Sequence, residues 1–599
     1  MTYDWSIYPA TSIPPELLEL AEGDSLLARI LLNRGVDNKD TAIYYLGLDQ
    51  VSPCDPLEIP EMDRAFTRIK QALKAQERIL IYGDYDVDGT SSVALLYRAF
   101  QMLGHQVSYY IPSRHSEGYG INSEAIRKIR EDMKIDLMIS CDCGISNYDE
   151  VAYANTLGLD VIITDHHSIP ANPPPSIANC NPKTLPAEHP LHYLPGVGVA
   201  YKLAELLLND ILPATEAAAS TRSLLDLVAL GMIADLAPLR GENRYLTQIG
   251  LEVLSKTPKA GLQELLQISK ATGNIDTESI GFGLAPRINA AGRLADAERA
   301  VRLMITEDPA EAKILCEDLD DENRNRQVLC NEIQDEALGI ISQDMSMLDD
   351  NVIVLAEEGW HHGVIGIVAS RLLDKFHLPV FIMAIDDTHA RGSVRCINIP
   401  GLDIYEEMKT IQSQTSLFSK FGGHKMAAGF SIVKENIPNL IKAIRERFRI
   451  KLAQENLNKK IKIDAALRLH EINQSFIDRL AKLAPYGLEH AQATFISGPL
   501  KIESMRILGK EAKHIKLYLS EDLGDKNKSK KYEAVLWNRA EALLETYPLG
   551  TKAEITIAYT PRLNEFNGEV SIQLDIKDWK DPAEVEVKFF ERFAPLSRV

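Results

Sequence analysis

The chain has 599 residues, and since one domain takes roughly 100–200 residues, we expect about three to five domains. Hydrophobic residues make up 45% of the sequence and charged residues 25%, and no run approaches the roughly 20 apolar residues that cross a bilayer, which argues against a membrane protein. The net charge of −20 argues against nucleic-acid binding. Acidic clusters that hold divalent metals also make a chain negative, however, so local charge must decide.

The cysteines and the first residues indicate the compartment. The seven cysteines are scattered and contain no CxxC pair, which favours neither a disulfide framework nor a zinc ribbon. The opening sequence has acids and prolines where an export signal would need a basic start and an apolar run. We therefore expect a cytoplasmic protein.

A helical segment is predicted at 1–50, and residues 51–306 show the pattern of a parallel sheet. Short apolar runs alternate with helical patterns between about 78 and 165, and these runs are RILIY, VSYYIP, DLMIS and DVIIT. Such alternation is typical of parallel strands joined by crossover helices. Three of the strands end directly in the acid-rich turns DYDVDG, CDCG and DHH. Because ligands collect at the carboxyl ends of strands in open α/β sheets, we expect these turns to share one crevice.

The first of these turns, from Asp84 to Gly89, matches the opening of an EF-hand calcium loop. An EF-hand needs a bidentate Glu at its twelfth position, and counting from Asp84 that position holds Leu95, inside an apolar helical stretch. The strand before the turn and the helix after it instead suit a metal or phosphate site at a helix N-terminus. A solvated acidic turn is the alternative.

The second and third turns add a carboxylate and two imidazoles. Asp142 in CDCG is, taken alone, as compatible with an ordinary strand end as with a metal ligand. The sequence Asp165-His166-His167 is more informative, because it places a carboxylate and two imidazoles at the end of a hydrophobic strand, whereas a lone histidine is usually structural. Adjacent side chains on an extended segment point in opposite directions, so we expect one histidine to bind metal and the other to meet substrate.

A helical stretch that ends before a proline adds Asp235 to this set. Four or five carboxylates with one or two imidazoles and no thiolate favour Mn²⁺ or Mg²⁺ over zinc. That many anions can hold two ions roughly 3.5–4 Å apart, which clamp the attacking and leaving oxygens of a phosphoryl displacement. The residues thus predict two-metal phosphodiester hydrolysis. The nearby sequence LPGVGVA (194–200) resembles a phosphate-cradling loop, but a lone GxG before a helix is more often a tight turn.

Four further segments follow the core. Residues 307–348 contain a long connecting helix, predicted from about 309 to 342, with a proline only at its first position. Residues 349–455 predict a second α/β domain, whose pattern begins at 351 with NVIVLAEE. Residues 456–582 predict a small OB-like barrel with a hairpin turn at Asn567-Gly568, and a tail follows at 583–599. The strands expected in the barrel are KIKIDAALRL, HIKLYLS, YEAVLW, AEITIAYT and VSIQLDI.

The motifs, in their order and spacing, resemble the DHH phosphoesterase superfamily. The resemblance rests on DYDVDG, CDCG, TDHHS and ALGMIADLAPL in the core, and on GWHHGVIGIVA, ARGSVR and GGHKMAAG in what is similar to a DHHA1-type accessory domain. It covers roughly residues 50–580 and narrows to the bacterial single-strand-specific 5′→3′ DNA exonucleases. It implies a parallel-sheet DHH core, a DHHA1-type α/β domain joined by a long helix, and a C-terminal OB-like β-barrel. At 485–491 this chain reads PYGLEHA, which departs from the turn that the family usually has there.

The resemblance also implies roles for individual residues. Asp142 bridges two Mn²⁺ or Mg²⁺ ions, Asp165 orients its neighbours, and His167 faces the scissile phosphate; these three are the expected catalytic residues. The implied metal ligands are Asp86, Asp88, Asp142, His166 and Asp235, with Asp84 as a further candidate. The implied DNA or phosphate contacts are Arg114, Tyr119, Arg287, Asn289, Arg293, His361, Arg391, Ser393, Arg395, Gly422, Gly423 and His424.

The activity implied by the resemblance is the release of 5′-mononucleotides from single-stranded DNA in recombination and DNA repair. The implied partners are single-stranded DNA, a single-strand-binding protein and a helicase, with a monomeric chain and no membrane. Two alternatives stay open at this point. One is a related phosphodiesterase for short oligonucleotides or cyclic dinucleotides, and the other is a non-catalytic replication or repair scaffold.

Overall fold

The computed structural model of the chain describes residues 3–9, 11–113, 117–118, 120–271, 273, 275–294, 296–509, 511–522, 530–566 and 569–585. The predicted contacts Arg114 and Tyr119, the predicted turn at Asn567-Gly568 and most of the predicted tail lie outside these residues.

The first segment begins with a strand that the sequence pattern did not predict. The strand β1 (Tyr3–Ile7) precedes the three helices α1 (Pro15–Leu20), α2 (Ser25–Asn33) and α3 (Lys39–Leu46). Asp24 caps α2 by accepting hydrogen bonds from the backbone N–H groups of Leu26 and Leu27, and Asn38 caps α3 in the same way. The apolar faces of these helices share one hydrophobic core with the C-terminal part of the chain.

A parallel sheet follows, as predicted, and it contains one strand, Ala178–Cys180, beyond the four that the sequence pattern indicated. Its strands are β2 (Ile79–Gly83), β3 (Ser108–Tyr110), β4 (Leu137–Cys141), β5 (Asp160–Thr164) and β6 (Ala178–Cys180). Their spatial order is β3-β2-β4-β5-β6, and every neighbouring pair is parallel. The helices that accompany the sheet are α4 (Met62–Ala75), α5 (Val87–Met102), α6 (Ser123–Glu131) and α7 (Tyr148–Thr156). Helices α4 and α5 cover one face of the sheet, and α6 and α7 cover the other.

A layer of helices packs onto the α5 side of this sheet. It contains α8 (Gly196–Ile211), α9 (Ala214–Ser223), α10 (Leu225–Ala234), α11 (Gly241–Leu254), α12 (Ala260–Ile268), a π-helical turn (Ser279–Leu284), α13 (Ala285–Leu294) and α14 (Glu298–Ile305). Within the described residues, one stretch, Ala214–Ala234, is long and apolar enough to cross a membrane by length and composition. Its apolar window is 67% buried inside the fold, as in a core helix.

The predicted long helix and second α/β domain are confirmed. Helix α15 (Pro309–Gln343) leads through α16 (Ser346–Asp349) into a five-stranded sheet. The elements of this domain are β7 (Ile353–Glu358), α17 (Ile365–Phe376), β8 (Val380–Ile385), β9 (His389–Arg395), α18 (Ile404–Thr415), β10 (Phe418–His424), β11 (Ala427–Val433) and α19 (Ile437–Lys451). The strand order is β10-β11-β9-β8-β7, with β7 and β8 parallel and the other pairs antiparallel.

The C-terminal region forms a closed five-stranded barrel. Its elements are β12 (Lys459–Ile463), β13 (Ala465–Ala466), α20 (Gln474–Ala481), β14 (Phe495–Leu508), β15 (His514–Ser520), β16 (Tyr532–Leu536), α21 (Ala540–Thr546), β17 (Glu554–Phe566) and β18 (Glu569–Lys580). Pairing of β14 with both β15 and β17 closes the barrel. Two details of the prediction were wrong: KIKI lies in β12, which pairs with β1 outside the barrel, and β14 was not predicted.

The register of the parallel sheet brings the three acidic turns together. Gly83 of β2 lies beside Cys141 of β4, and Cys141 lies beside Thr164 of β5. The next residue of each strand is an aspartate, so Asp84, Asp142 and Asp165 follow three adjacent strand ends. The predicted shared crevice at this edge of the sheet is therefore present.

Candidate metal centre and phosphate pocket

The acidic turns, Asp235 and the histidines form one cluster at the carboxyl edge of the parallel sheet. Ligand atoms of Asp84, Asp86 and Asp142 lie within 4.8 Å of one another, and so do those of Asp88, His166 and Asp235. A third group of this kind contains Asp142, His166 and His167. The structure thus brings together every predicted metal ligand, including Asp84.

Asp142 lies at the centre of the cluster, where the two groups of ligand atoms meet. Its Oδ1 is 3.0 Å from His166 Nε2 and 3.9 Å from His167 Nδ1. The residue is 2% exposed and has a φ of 60°, a left-handed backbone conformation that costs energy outside glycine. A Cβ on Gly196 would lie 2.5 Å from the Asp142 Cβ, so this close approach of α8 requires glycine. The surrounding fold therefore holds Asp142 in a strained position that points into the cluster.

Asp88 is held by the N-terminus of α8. Its two carboxylate oxygens accept hydrogen bonds of 2.7 Å and 2.8 Å from the backbone N–H groups of Gly196 and Val197. The GVG sequence is thus neither a phosphate loop nor a simple turn, because its first N–H groups bind a carboxylate of the chain itself. Asp86 caps α5 by accepting a hydrogen bond from Gly89 N–H. The positive ends of two helices therefore face the acidic cluster.

The two adjacent histidines lie in different environments. Burial, reinforced by the charge of His167, lowers the pKa of His166 to about 3, so its ring is neutral and Nε2 can serve as a ligand. Burial would also lower the pKa of His167, but a 2.7 Å hydrogen bond to Asp165 and the charge of that carboxylate raise it to about 9. Asp165 also accepts hydrogen bonds from the backbone N–H groups of His166 and His167, which fixes the turn.

The carboxylates of the cluster destabilise one another's charged forms. Burial, followed by the charges of Asp235 and Asp86, raises the pKa of Asp88 well above its usual range, and burial with the charge of Asp88 does the same for the pKa of Asp142. Burial and the charge of Asp86 raise the pKa of Asp235 to about 7. A divalent cation offsets such crowding, and a set of oxygen ligands with one neutral imidazole suits Mn²⁺ or Mg²⁺. The residues present therefore fit these ions.

A cationic cavity of about 580 Å³ lies in the second α/β domain, next to α13. It is lined by the basic side chains Arg293, Arg391, Arg395 and Lys420, with His362, and by Ser393 and the glycines of β10 and β11. No carboxylate is among the described residues that line it. The N-terminus of α17 opens into this cavity without a side-chain cap. Such a combination of cations and free N–H groups suits a phosphate group.

Helix α13 connects the cavity with the acidic cluster. A Cβ on Gly292 would lie 2.5 Å from the backbone oxygen of Tyr85, so the helix packs directly on the turn that carries Asp84 and Asp86. The next residue, Arg293, lines the cavity and donates a 3.1 Å hydrogen bond to the backbone oxygen of Gly363. The cavity thus adjoins the Asp84–Asp86 side of the cluster.

The predicted phosphate contacts fall into two groups. Six of them line the cavity: Arg293, Arg391, Ser393, Arg395, Gly422 and Gly423. The described residues that do not line it are Arg287, Asn289, His361 and His424. Arg287 instead pairs with Asp320 of α15 at 2.8 Å and donates to the backbone oxygen of Gly283. Lining residues that the sequence analysis missed include His362, next to the predicted His361, and Lys420, two residues before the predicted glycine pair.

Three family models match the chain. The DHH family N-terminal domain matches residues 78–232, the DHHA1 domain matches 349–449, and the RecJ OB domain matches 463–578. These ranges cover the parallel-sheet core, the second α/β domain and the barrel, in the order that the sequence predicted.

Curated relatives extend the similarity over most of the chain. The chain is 37% identical to the single-stranded-DNA-specific exonuclease RecJ of Bacillus subtilis, over 92% of this chain and 67% of the relative. It is 32% identical to RecJ of Haemophilus influenzae, over 89% and 92% of the two chains. The chain belongs to the RecJ family.

Solved RecJ structures share this architecture. A crystal structure of RecJ from Thermus thermophilus in complex with Mn²⁺ superposes with a TM-score of 0.79 at 28% identity, over 97% of this chain and 80% of that one. The Mg²⁺ complex from the same organism gives a TM-score of 0.73 at 27% identity, over 97% and 79% of the two chains. RecJ proteins are thus known with both ions that the donor set of this chain favours.

Proposed function

We propose that the chain is a metal-dependent exonuclease that hydrolyses single-stranded DNA. The observation that carries this proposal is the adjacency of a buried acid and histidine cluster and a cationic cavity, joined by Gly292 and Arg293 of α13. A terminal phosphate bound in the cavity would place the neighbouring phosphodiester at the acids. The curated relatives, named as single-stranded-DNA-specific exonucleases, support the same activity.

The two groups of ligand atoms suggest two Mn²⁺ or Mg²⁺ positions. Asp84, Asp86 and Asp142 would hold one ion, and Asp88, His166 and Asp235 would hold the other. Asp142 lies where the two groups meet, which fits a bridging role. Ions of this kind supply a nucleophilic water near neutral pH and offset charge on the phosphate.

His167 is suited to act on the phosphate or the leaving group. Its hydrogen bond to Asp165 raises its pKa to about 9, which favours the protonated ring at neutral pH. Its Nδ1 lies 3.9 Å from Asp142 Oδ1, farther than the 3.0 Å of His166 Nε2. A protonated imidazole can donate a hydrogen bond to a phosphate oxygen or a proton to the departing 3′-oxygen. Asp165 would therefore serve as the positioning residue for both histidines.

The cavity suggests how the enzyme selects an end of the strand. Arg391, Ser393 and Arg395 lie in one strand, β9, and would hold a phosphate together with the N-terminus of α17. With the 5′→3′ polarity that the family resemblance implies, this phosphate is that of the 5′-terminal nucleotide, and the product is a 5′-mononucleotide. A cleft between two domains that admits one strand would exclude a duplex.

The remaining functional expectations are part of the same proposal. The barrel would bind the strand beyond the metal centre, the chain would act as a cytoplasmic monomer in recombination and repair, and a single-strand-binding protein and a helicase would supply its substrate. A phosphodiesterase for dinucleotides is not favoured, because the chain carries a RecJ OB domain. A non-catalytic scaffold is not favoured either, because every predicted metal-binding position carries an acid or a histidine.

A labelling assay tests substrate, polarity and metal together. Long single strands of DNA and RNA, labelled at the 5′ or 3′ end, are incubated with Mg²⁺, Mn²⁺ or a chelator. We expect the 5′ label of DNA to be released first as a mononucleotide, and only when metal is present. The Asp142→Ala variant is the control and should fold and bind DNA without cleaving it. Cleavage by that variant, or equal cleavage with chelator, would contradict the proposal.

A further inference from the structure

Three side chains beside Asp235 form a small cationic patch that neither the metal centre nor the cavity uses. The patch consists of Lys183, Tyr193 and Arg240. Arg240 Cζ lies 3.9 Å from the centroid of the Tyr193 ring, and Lys183 Nζ lies 5.1 Å from it. Tyr193 thus holds two cations over one ring, an arrangement that lowers the cost of placing like charges close together.

Buried asparagines tie this patch to the metal centre. Asn181, 1% exposed, donates a hydrogen bond of 3.0 Å to the backbone oxygen of His167 and accepts one of 2.9 Å from Lys183 N–H. Asn243, fully buried, donates to the backbone oxygens of Tyr193 and Pro238, at 2.6 Å and 3.1 Å. The segment of Lys183 is therefore fixed relative to the DHH turn, and the segment of Tyr193 is fixed relative to the loop that follows Asp235.

The charge of Lys183 is not paired within the described part of the chain. No carboxylate there lies within 4.0 Å of its Nζ, although Asp235 is near enough for Lys183 to oppose the effect of burial on the pKa of that acid. Among the described residues, Arg240 pairs with one carboxylate, that of Glu489, at 3.2 Å, and both side chains are more than 40% exposed. An exposed ion pair of this kind is weak, so a phosphate can replace Glu489 as the partner of Arg240. The patch therefore has at least one positive charge available for an external anion.

The patch and the cavity adjoin different groups of ligand atoms in the metal centre. The cavity adjoins the turn of Asp84 and Asp86 through α13, whereas Lys183 and Arg240 adjoin Asp235, which belongs to the other group of ligand atoms. A strand that runs from the cavity across both groups of ligands would reach the patch next. Its scissile phosphate would lie at the acids, and the following phosphate would lie at Lys183.

We propose that Lys183 and Arg240, held by Tyr193, bind the phosphate that follows the scissile phosphate on its 3′ side. The proposal rests on the proposed exonuclease function and adds a subsite to it. This subsite would keep the shortened strand attached after each cleavage, because the backbone is gripped beyond the bond that is broken. It would also favour substrates of three or more nucleotides over dinucleotides.

The simpler alternative is that Lys183 only offsets the negative charge of the acidic cluster. In that case its loss would disturb metal binding and would affect all substrates equally. Under the proposal, its loss matters only where the third phosphate is present. Substrate length therefore separates the two explanations.

The test compares 5′-phosphorylated dinucleotides and trinucleotides as substrates of the full chain. The Lys183→Gln variant should lower the trinucleotide-to-dinucleotide ratio of kcat/KM about tenfold, mainly through KM, and it should reduce the salt slope of DNA binding by about one. Arg240→Gln should lower the same ratio less, because Glu489 already competes for that cation. Lys375→Gln is the matched control, since Lys375 also lies over an aromatic ring but at the far end of α17.

A neutral methylphosphonate at the linkage after the scissile one provides a second measurement. This substitution should lower the kcat/KM of the wild-type chain for the trinucleotide about as much as Lys183→Gln does. It should not lower the kcat/KM of that variant further. Additive losses, an unchanged trinucleotide-to-dinucleotide ratio, or a higher Mn²⁺ requirement of the variant would overturn the subsite. Failure of the exonuclease proposal itself would look different, because the wild-type chain would then cleave neither substrate.

Discussion

Asp142 combines three properties that are unfavourable in a folded protein. It is buried, its backbone is in the left-handed region, and its carboxylate lies among other carboxylates, so that burial and neighbouring charge raise its pKa well above the usual range. A residue with these properties lowers stability when no cation is present. The proposed bridging role of Asp142 would explain why the fold keeps it at the expense of stability.

The first prediction follows from this conflict. The Asp142→Asn variant, whose side chain also tolerates a left-handed backbone, should lose at least about a thousandfold in hydrolysis and still bind single-stranded DNA. Its melting temperature without metal should exceed that of the wild type, and the rise that Mn²⁺ causes in the wild type should shrink. Thermal unfolding with and without Mn²⁺ measures both effects. A lower melting temperature of the metal-free variant would argue against charge crowding at this site.

A second prediction distinguishes Arg287 and Arg395, for which the family resemblance implies the same role in DNA binding. Arg395 lines the cavity, so Arg395→Gln should weaken DNA binding and reduce its salt slope by about one. Arg287 is bound by Asp320 at 2.8 Å, and Arg287→Gln should mainly lower stability by breaking the contact between α13 and α15. DNA binding titrations over a range of salt concentrations distinguish the two. Equal slopes for the two variants would contradict this division.

At this scale the sequence predicts chemistry better than contacts. The acids and histidines of the three turns were predictable, because the carboxyl ends of parallel strands lie at one edge of a sheet. The use of Gly196 and Val197 to bind Asp88 was not, since it depends on how α8 packs against α5 across more than 100 residues of chain. The roles of individual residues in metal and DNA binding stay predictions.

Helix α17 illustrates how one element positions a binding site. Gly366, in its first turn, lets β9 approach closely, and a Cβ there would lie 3.0 Å from Ser393 Oγ and 3.2 Å from an Arg395 guanidinium nitrogen. The helix N-terminus and both side chains thus converge on the same part of the cavity. A small displacement of these groups should weaken their hold on a phosphate.

The third prediction uses this contact. The Gly366→Ala variant should raise KM about fivefold with little change in metal dependence, because Ser393 and Arg395 must move by a few tenths of an ångström. Gly339→Ala is the matched control: it also lies in a helix, but a Cβ there meets nothing within 4 Å, so it should leave KM unchanged and slightly raise stability. Steady-state kinetics on a short single strand provides the comparison.

The strand β14 shows where element prediction fails. Its sequence, FISGPLKIESMRIL, contains Gly498-Pro499 and therefore resembles two short pieces around a turn. In the structure the pairing with β17 shifts register between Ser497 and Leu500, so the strand continues past the proline through an irregularity. Similarly, the pattern of KIKI predicts a strand but cannot identify its partner, which is β1. Long helices such as α15 are easier to predict, since their hydrophobic periodicity lies within one continuous segment of the chain.

On the scale of the whole molecule, Arg244 fastens the barrel to the core. Its guanidinium is fully buried and donates to the backbone oxygens of Tyr44, Leu483, Ala484 and Pro485. It also lies 4.4 Å from the centroid of the Tyr45 ring. One side chain of α11 thus holds both the first helical segment and the residues that lead into the atypical turn at 485–491. We propose that residues 1–50 and 456–582 act as one unit, while the other predicted domain limits stay predictions.

The fourth prediction concerns this fastening. The Arg244→Met variant should lose about 3 kcal/mol or more of unfolding free energy in the unit that contains the barrel, because four backbone carbonyl groups, three of them in buried hydrogen bonds, lose their donor. Arg222→Met is the control, since its exposed pair with Glu252 at 3.4 Å contributes little. Denaturant unfolding with limited proteolysis reports both the stability and the docking of the barrel. A stability equal to that of the control would contradict the role of Arg244.

The pairing of β1 with β12 has a consequence for how the chain is made. About 450 residues separate Ile7 from Lys459, and at roughly 5–20 residues per second the ribosome needs about 20–90 s to reach the partner strand. During that time Leu17, Leu27 and Leu31, all fully or almost fully buried in the finished protein, have no barrel to cover them. The parallel-sheet core can therefore fold during synthesis, while the first residues to emerge are among the last to pack into the native structure.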